Sequence, residues 1–266
     1  MVSLLHRCLV PLRVASLFAL VLLTACASTP SPALQNTSPL GTSRQVVLVL
    51  TDNWTATTGS LQRFERSDGQ WRAVGDPAPI AVGRSGTGWG VGLHPAQAQG
   101  PQKQEGDGRA PAGVFALGDA FGYAAHDTTR MPYRPMQASH YCMDVPDSPY
   151  YNQIIDTREL GEAAAKGSTE PMRLDLHSKG DPRYRKGLVI EHNPAAVPRA
   201  GSCIFAHLWR TPGEPTAGCT AMAAETMDDL LAWLQPQEQP LLVLLPRAEY
   251  ERVANEWKLP RAGAAR

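Results

Sequence analysis

Two residues carry most of the chemistry this sequence offers, His207 and Cys219, with a Gly/Pro-rich segment between them. A free thiol titrates near 8.5, so it needs a nearby base to act as a nucleophile around neutral pH. Histidine is the side chain best matched to that task. The run Ser202-Cys203-Ile204-Phe205-Ala206 before the histidine has the composition of a strand. A strand, a loop and a returning Thr216-Ala217-Gly218-Cys219 can bring thiol and imidazole together. The pair predicts a thiol enzyme working by acyl transfer. Cys219 is the expected nucleophile, and His207 the base that later protonates the leaving amine. Gly218 allows a tight turn and close approach of a substrate. Backbone N–H groups of Gly218 and Cys219 are the expected oxyanion donors, each worth about 3–4 kcal/mol in a transition state. Thr216 and Thr220 are the expected hydrogen-bonding helpers of that loop, although threonines also serve simply to hold a turn. The plain alternatives are a small buried cysteine and a satisfied core histidine. The group that orients His207 is not legible in the sequence; a backbone carbonyl would serve.

Four more residues are candidates for binding substrate. His192, with Asn193, ends the strand-like run before His207 and is expected to lie across from it. Arg109 could meet a carboxylate. Tyr151, between Tyr150 and Asn152, and Trp89 could line a pocket. Each has an ordinary structural reading too: a strand-end polar pair, a loop salt bridge, or core aromatics. A metal hydrolase is the weaker class. His94, His126, His140, His177, His192 and His207 show no close His-x-x-x-His spacing, and the cysteines no Cys-x-x-Cys. No metal or cofactor is expected.

The N-terminus points to export. Arg7 and Arg13 precede a short apolar run over residues 14–23, which is followed by Thr24-Ala25-Cys26. That pattern marks a secretory signal, and the run is short for a membrane span, which needs about 20 apolar residues. Leu23-Thr24-Ala25-Cys26 resembles a bacterial lipobox. The resemblance implies a signal peptide over 1–25 and a lipid anchor on Cys26, and Ala27 and Ser28 resemble an outer-membrane address. An ordinary signal peptide with an incidental cysteine is the alternative. Residues 26–43, rich in Ser, Thr and Pro, read as a flexible tether.

About 200 residues remain, 44–247, enough for one catalytic domain with a sizeable core; 248–266 reads as a frayed tail or short surface helix. Removing 1–25 leaves 23 basic against 25 acidic residues, a net charge near −2. A basic excess is the usual mark of a nucleic-acid binder, so nucleic acid is not an expected partner. Gly and Pro, 23 each, favour a loop-rich β architecture over a helical bundle. Of the five cysteines, Cys8 leaves with the signal and Cys26 is reserved for lipid. Three remain, and an exported protein can keep disulfides. A Cys142–Cys203 bridge with Cys219 free is expected, against the alternative of three free thiols.

Residues 45–51 and 241–245 are continuous apolar runs of strand length. Shorter strands are expected at 61–66, 71–74, 80–82, 114–117, 187–191 and 203–209, with turns at 57–60 and 67–69. A short helix fits 156–167. The clearest helix is 226–234, where Met227, Leu230, Leu231 and Leu234 make one apolar face and Pro236 stops it. The fold class is therefore mostly β with a few short helices, sandwich- or barrel-like.

Thr216-Ala217-Gly218-Cys219 resembles the [Ser/Thr]-x-Gly-Cys signature of the L,D-transpeptidase (YkuD-like) catalytic domain, and His207 matches that family's upstream histidine. Ala110-Pro111-Ala112-Gly113-Val114-Phe115 resembles its Thr-Pro-x-Gly-x-Phe segment, with Ala for Thr, and Glu105-Gly106-Asp107-Gly108-Arg109 fits a lipoprotein branch. The resemblance spans most of 44–246. It implies the L,D-transpeptidase catalytic fold in a periplasm-facing, lipid-anchored protein of the bacterial envelope. It also implies action on peptidoglycan stem peptides in cell-wall assembly: Cys219 forms a thioester, D-alanine leaves, and an amine acceptor is crosslinked or attached. The chain departs from the pattern in three ways. Ala217 stands where His or Asn is frequent, Thr220 and Ala221 stand where Arg is frequent, and the His-to-Cys spacing is short. Hydrolysis (L,D-carboxypeptidase or amidase) by the same pair, or a non-catalytic peptidoglycan-binding role, therefore stays open.

Overall fold

The computed structural model describes residues 38–263. The expected signal segment 1–25, Cys26 and most of the 26–43 tether lie outside them. In chain order the strands are β1 (Gln45–Thr51), β2 (Thr58–Ser67), β3 (Gln70–Ala81), β4 (Thr87–Trp89), β5 (Ala110–Gly122), β6 (Tyr133–Pro135), β7 (His140–Cys142), β8 (Ile154–Asp156), β9 (Glu170–Pro171), β10 (Lys186–Ile190), β11 (Phe205–Leu208), β12 (Thr220–Met222) and β13 (Leu241–Pro246). The helices are α1 (Thr157–Leu160), α2 (Leu174–His177), α3 (Ala224–Trp233) and α4 (Arg247–Trp257).

Eight strands close on themselves in the order β10-β11-β12-β3-β2-β1-β13-β5, and β5 pairs back to β10. The fold is mostly β and barrel-like. Most pairs are antiparallel, but β1 runs parallel to β13 and β11 parallel to β12. Every residue of β1 and β13 is buried. Strands covered on both faces read as unbroken apolar runs rather than alternating ones. The cover on β1 and β13 includes α4. This corrects the expected tail over 248–266: Val253 and Trp257 are buried in the main core. The end of the expected tether is likewise part of the body, since Leu40 and Ser43 are buried and Ser38 Oγ donates to the Trp257 carbonyl.

Sequence periodicity missed how continuous the strands are. The expected pieces at 71–74 and 80–82 form one strand, β3, and the expected turn at 57–60 is mostly the start of β2. Its partner strand supplies the hydrogen bonds that a turn would have supplied. The short helix expected in 156–167 is α1, followed by a 3-10 turn, and the 226–234 helix is α3.

A three-stranded sheet, β8-β7-β9, sits outside the barrel. The disulfide joins it to the barrel wall through Cys142 in β7 and Cys203 just before β11. A second, smaller core fills the space between them, with Phe121, Cys142, Met172, Tyr184, Phe205 and Cys219 among its members. Phe121 reaches into it over Gly187, where a Cβ would lie 2.3 Å from the ring. Glycine there lets the ring lie flat on β10.

Candidate active site

Parallel pairing of β11 with β12 sets Ala206 beside Thr220 and His207 beside Ala221. Side chains alternate along a strand and paired residues share a face. Cys219, the residue before β12, therefore lies on the face of Phe205 and His207. That face belongs to the small core, whereas Ile204, Ala206, Leu208 and Met222 belong to the barrel interior. His207 and Cys219 open onto one cavity of about 380 Å³ between the barrel wall and the small sheet.

The cysteine's sulfur has two backbone partners. It accepts from Phe205 N–H at 3.3 Å and donates to the Cys203 carbonyl at 3.6 Å. Burial pushes its pKa up to about 12, and the nearby Glu170 charge adds to the shift. His207 is held by the group that sequence reasoning could not name: its Nδ1 lies 2.7 Å from the Leu208 carbonyl. A carbonyl only accepts, so Nδ1 carries the proton and Nε2 keeps its lone pair. Burial pulls the His207 pKa down to about 4. The pair is thus a neutral thiol and a neutral imidazole with a free basic nitrogen. The resting pair is therefore not a preformed thiolate–imidazolium ion pair, and the thiol's proton is held by the Cys203 carbonyl.

Thr216 buckles the loop. Its hydroxyl accepts from Gly218 N–H at 3.1 Å and donates to the Cys219 carbonyl at 2.7 Å. This corrects the oxyanion expectation in part, because the Gly218 N–H is already engaged; the Cys219 N–H is the remaining candidate of the two. A Cβ at Gly218 would sit 3.1 Å from the Arg109 carbonyl, so the tight approach there is to the protein's own backbone. Thr220 is a second correction. It shares the face of Ala206, toward the barrel core and away from the sulfur.

No protein-family model matches this sequence, and no curated protein matches it. Among solved structures, Bd1075 of Bdellovibrio bacteriovorus is similar with a TM-score of 0.40 at 12% identity. The alignment covers 82% of this chain and 55% of that one, so this chain spans about half the length of that protein.

The four weaker candidates do not join the cavity. His192 is buried away from His207, with Nδ1 accepting from Val91 N–H at 3.3 Å and Nε2 3.0 Å from the Ala200 carbonyl. The β10 residue across from His207 is instead Gly187. Arg109 donates to the carbonyls of Thr87 and Trp54. Trp89 donates to the Gln99 carbonyl and packs on Trp54 and Trp257. Tyr151 is buried, but its hydroxyl donates to Glu105, which does line the cavity. Among the described residues no three His, Cys, Asp or Glu side chains gather as a metal site. The expected Cys142–Cys203 disulfide is present and Cys219 is free.

Sequence reasoning missed the opposite wall. Glu170 in β9 faces the cavity, and Tyr184 donates to its Oε1 at 2.5 Å. The Tyr184 ring meets the His207 ring edge-on at 5.3 Å. Burial raises the Glu170 pKa to about 7. An isolated Glu-Pro pair carries no local signal of such a role; only the fold brings it here.

Proposed function

We propose that the chain is a cysteine-dependent acyltransferase acting on peptidoglycan stem peptides, an L,D-transpeptidase. The observation that carries this reading is the shared cavity face of Cys219 and His207, with His207 oriented through Leu208. As Cys219 attacks the amide carbonyl that follows the meso-diaminopimelate residue, its proton passes to His207 Nε2. His207 then gives that proton to the leaving D-alanine amine, which splits one hard displacement into two easier steps. The Cys219 N–H is the loop's donor for the oxyanion. The lipobox-like Cys26 would tether the domain in the bacterial envelope, facing the periplasm, through a lipid anchor. No helix among the described residues is long and apolar enough to cross a membrane.

The test is mass spectrometry of tetrapeptide muropeptides incubated with the mature protein and with Cys219→Ala. Loss of D-alanine with new crosslinked or exchanged products, absent with the variant, is expected. Shortened products alone would make the protein a hydrolase using the same pair. No change with either protein, and no adduct on Cys219, would overturn the reading in favour of a binding role.

A further inference from the structure

Two walls enclose the cavity. The barrel wall carries Cys219 and His207, and the small sheet carries Glu170. The cavity's other acids are satisfied by several donors. Glu105 accepts the hydroxyls of Ser202 and Tyr151, and Asp144 accepts the backbone N–H and hydroxyl of Thr169. Glu170 accepts one side-chain hydrogen bond, from Tyr184, and among the described residues it has no ion-pair partner. The cation whose charge reaches it, Arg183, is paired with Asp181 at 2.8 Å. An enclosed carboxylate without a cation is costly. A cationic group entering the cavity would offset that cost, and Glu170 lines the same cavity as Cys219.

We propose that Glu170 is a catalytic residue of the second half-reaction, binding the acceptor's ammonium group and taking its proton so that a free amine attacks the thioester on Cys219. The inference rests on the thioester reading above. In the step, one proton moves from the ammonium nitrogen to a Glu170 oxygen. The amine lone pair forms a new C–N bond at the thioester carbonyl. The C–S bond breaks and its electron pair leaves with the Cys219 sulfur. The second amine proton passes through His207 to that sulfur, restoring thiol and neutral imidazole. Glu170 later releases its proton to solvent. A carboxyl near neutrality has a basicity suited to receiving this proton. Its place decides partition: an acceptor held and deprotonated beside the thioester competes with water through proximity.

The experiment uses the mature protein, a tetrapeptide muropeptide donor and a free D-amino acid as the acceptor amine. Mass spectrometry reads the ratio of exchanged to hydrolysed product. Intact-protein mass separately detects the thioester on Cys219. For Glu170→Gln the ratio is expected to fall at least tenfold toward hydrolysis, whatever the amount of thioester formed. Glu170→Asp, which keeps the carboxyl on a shorter arm, is expected to restore part of it. A merely structural role would lower both products together, so an unchanged ratio overturns the inference. So does a wild-type protein that only hydrolyses. Absence of any wild-type thioester overturns the transpeptidase reading and this inference with it. If Glu170→Gln does not fold, the ratio of Glu170→Asp decides alone: a fall supports the inference and wild-type partition overturns it.

Discussion

The Cys219 thiol donates to the carbonyl of Cys203, the residue whose own sulfur is bonded to Cys142. The small sheet is thus fastened to the barrel at the residue that holds the Cys219 thiol. Cys203 also has a left-handed backbone, φ 56°, with its N–H donated to Asn152 Oδ1 at 2.9 Å. A non-glycine residue keeps such a conformation only where its surroundings fix it.

Removing the bridge should therefore cost both stability and placement. The sequence separation is 61 residues, for which the chain-entropy model gives about 4 kcal/mol. Cys142→Ser is expected to lower the melting temperature markedly and to speed alkylation of Cys219. Calorimetry and timed alkylation check this; an unchanged melting temperature contradicts it.

The thiol itself should be quiet in the absence of substrate. With its pKa near 12, its thiolate share at pH 7.5 is about three orders of magnitude below that of free cysteine. Iodoacetamide is expected to label native Cys219 at least about 100-fold more slowly than the unfolded chain, with the rate still climbing above pH 10. A labelling rate that levels off near pH 8 would show an activated thiolate instead.

Acid should destabilise the fold. Burial holds His94, His192 and His207 each near 4, against an ordinary value of 6.5. Between those values the unfolded chain binds more protons, so stability present at neutral pH is lost as pH falls from 6.5 through 4. Glu170 acts the other way, since its raised value favours the folded state at low pH and that contribution fades from 4.5 to 7. Burial also lowers His140 and raises Glu191, so four histidines stand against two carboxyls. The melting temperature is expected to drop between pH 7 and pH 4.5; a rise on acidification contradicts the balance.

Trp257 is an anchor of the fold. It is 2% exposed and packs on Trp89 and His94. Trp257→Ala is expected to destabilise by about 3–5 kcal/mol, read by denaturant unfolding. A change below 1 kcal/mol would make α4 dispensable.

The sequence showed what local pattern encodes. The apolar runs of β1 and β13, the apolar face of α3 and the His207/Cys219 pair were legible because each is written in neighbouring residues. The disulfide followed from reserving Cys219. The polar candidates misled because His192, Arg109 and Trp89 spend their donors and acceptors on nearby backbone, a use that residue type alone does not reveal. Thr220 misled because one step along a strand reverses its face. Glu170, Tyr184 and the Leu208 carbonyl meet only through long-range contacts, and nothing local announces them.

The barrel's first strand pairs with its last, Val46 beside Leu241 through Thr51 beside Pro246. Closure of so long a loop cannot come early, and such non-local pairing slows folding. During synthesis β1 can pair with β2, but it lacks its second partner, β13, until residue 246 has emerged. A chain built this way cannot close its ring of strands until the last one arrives.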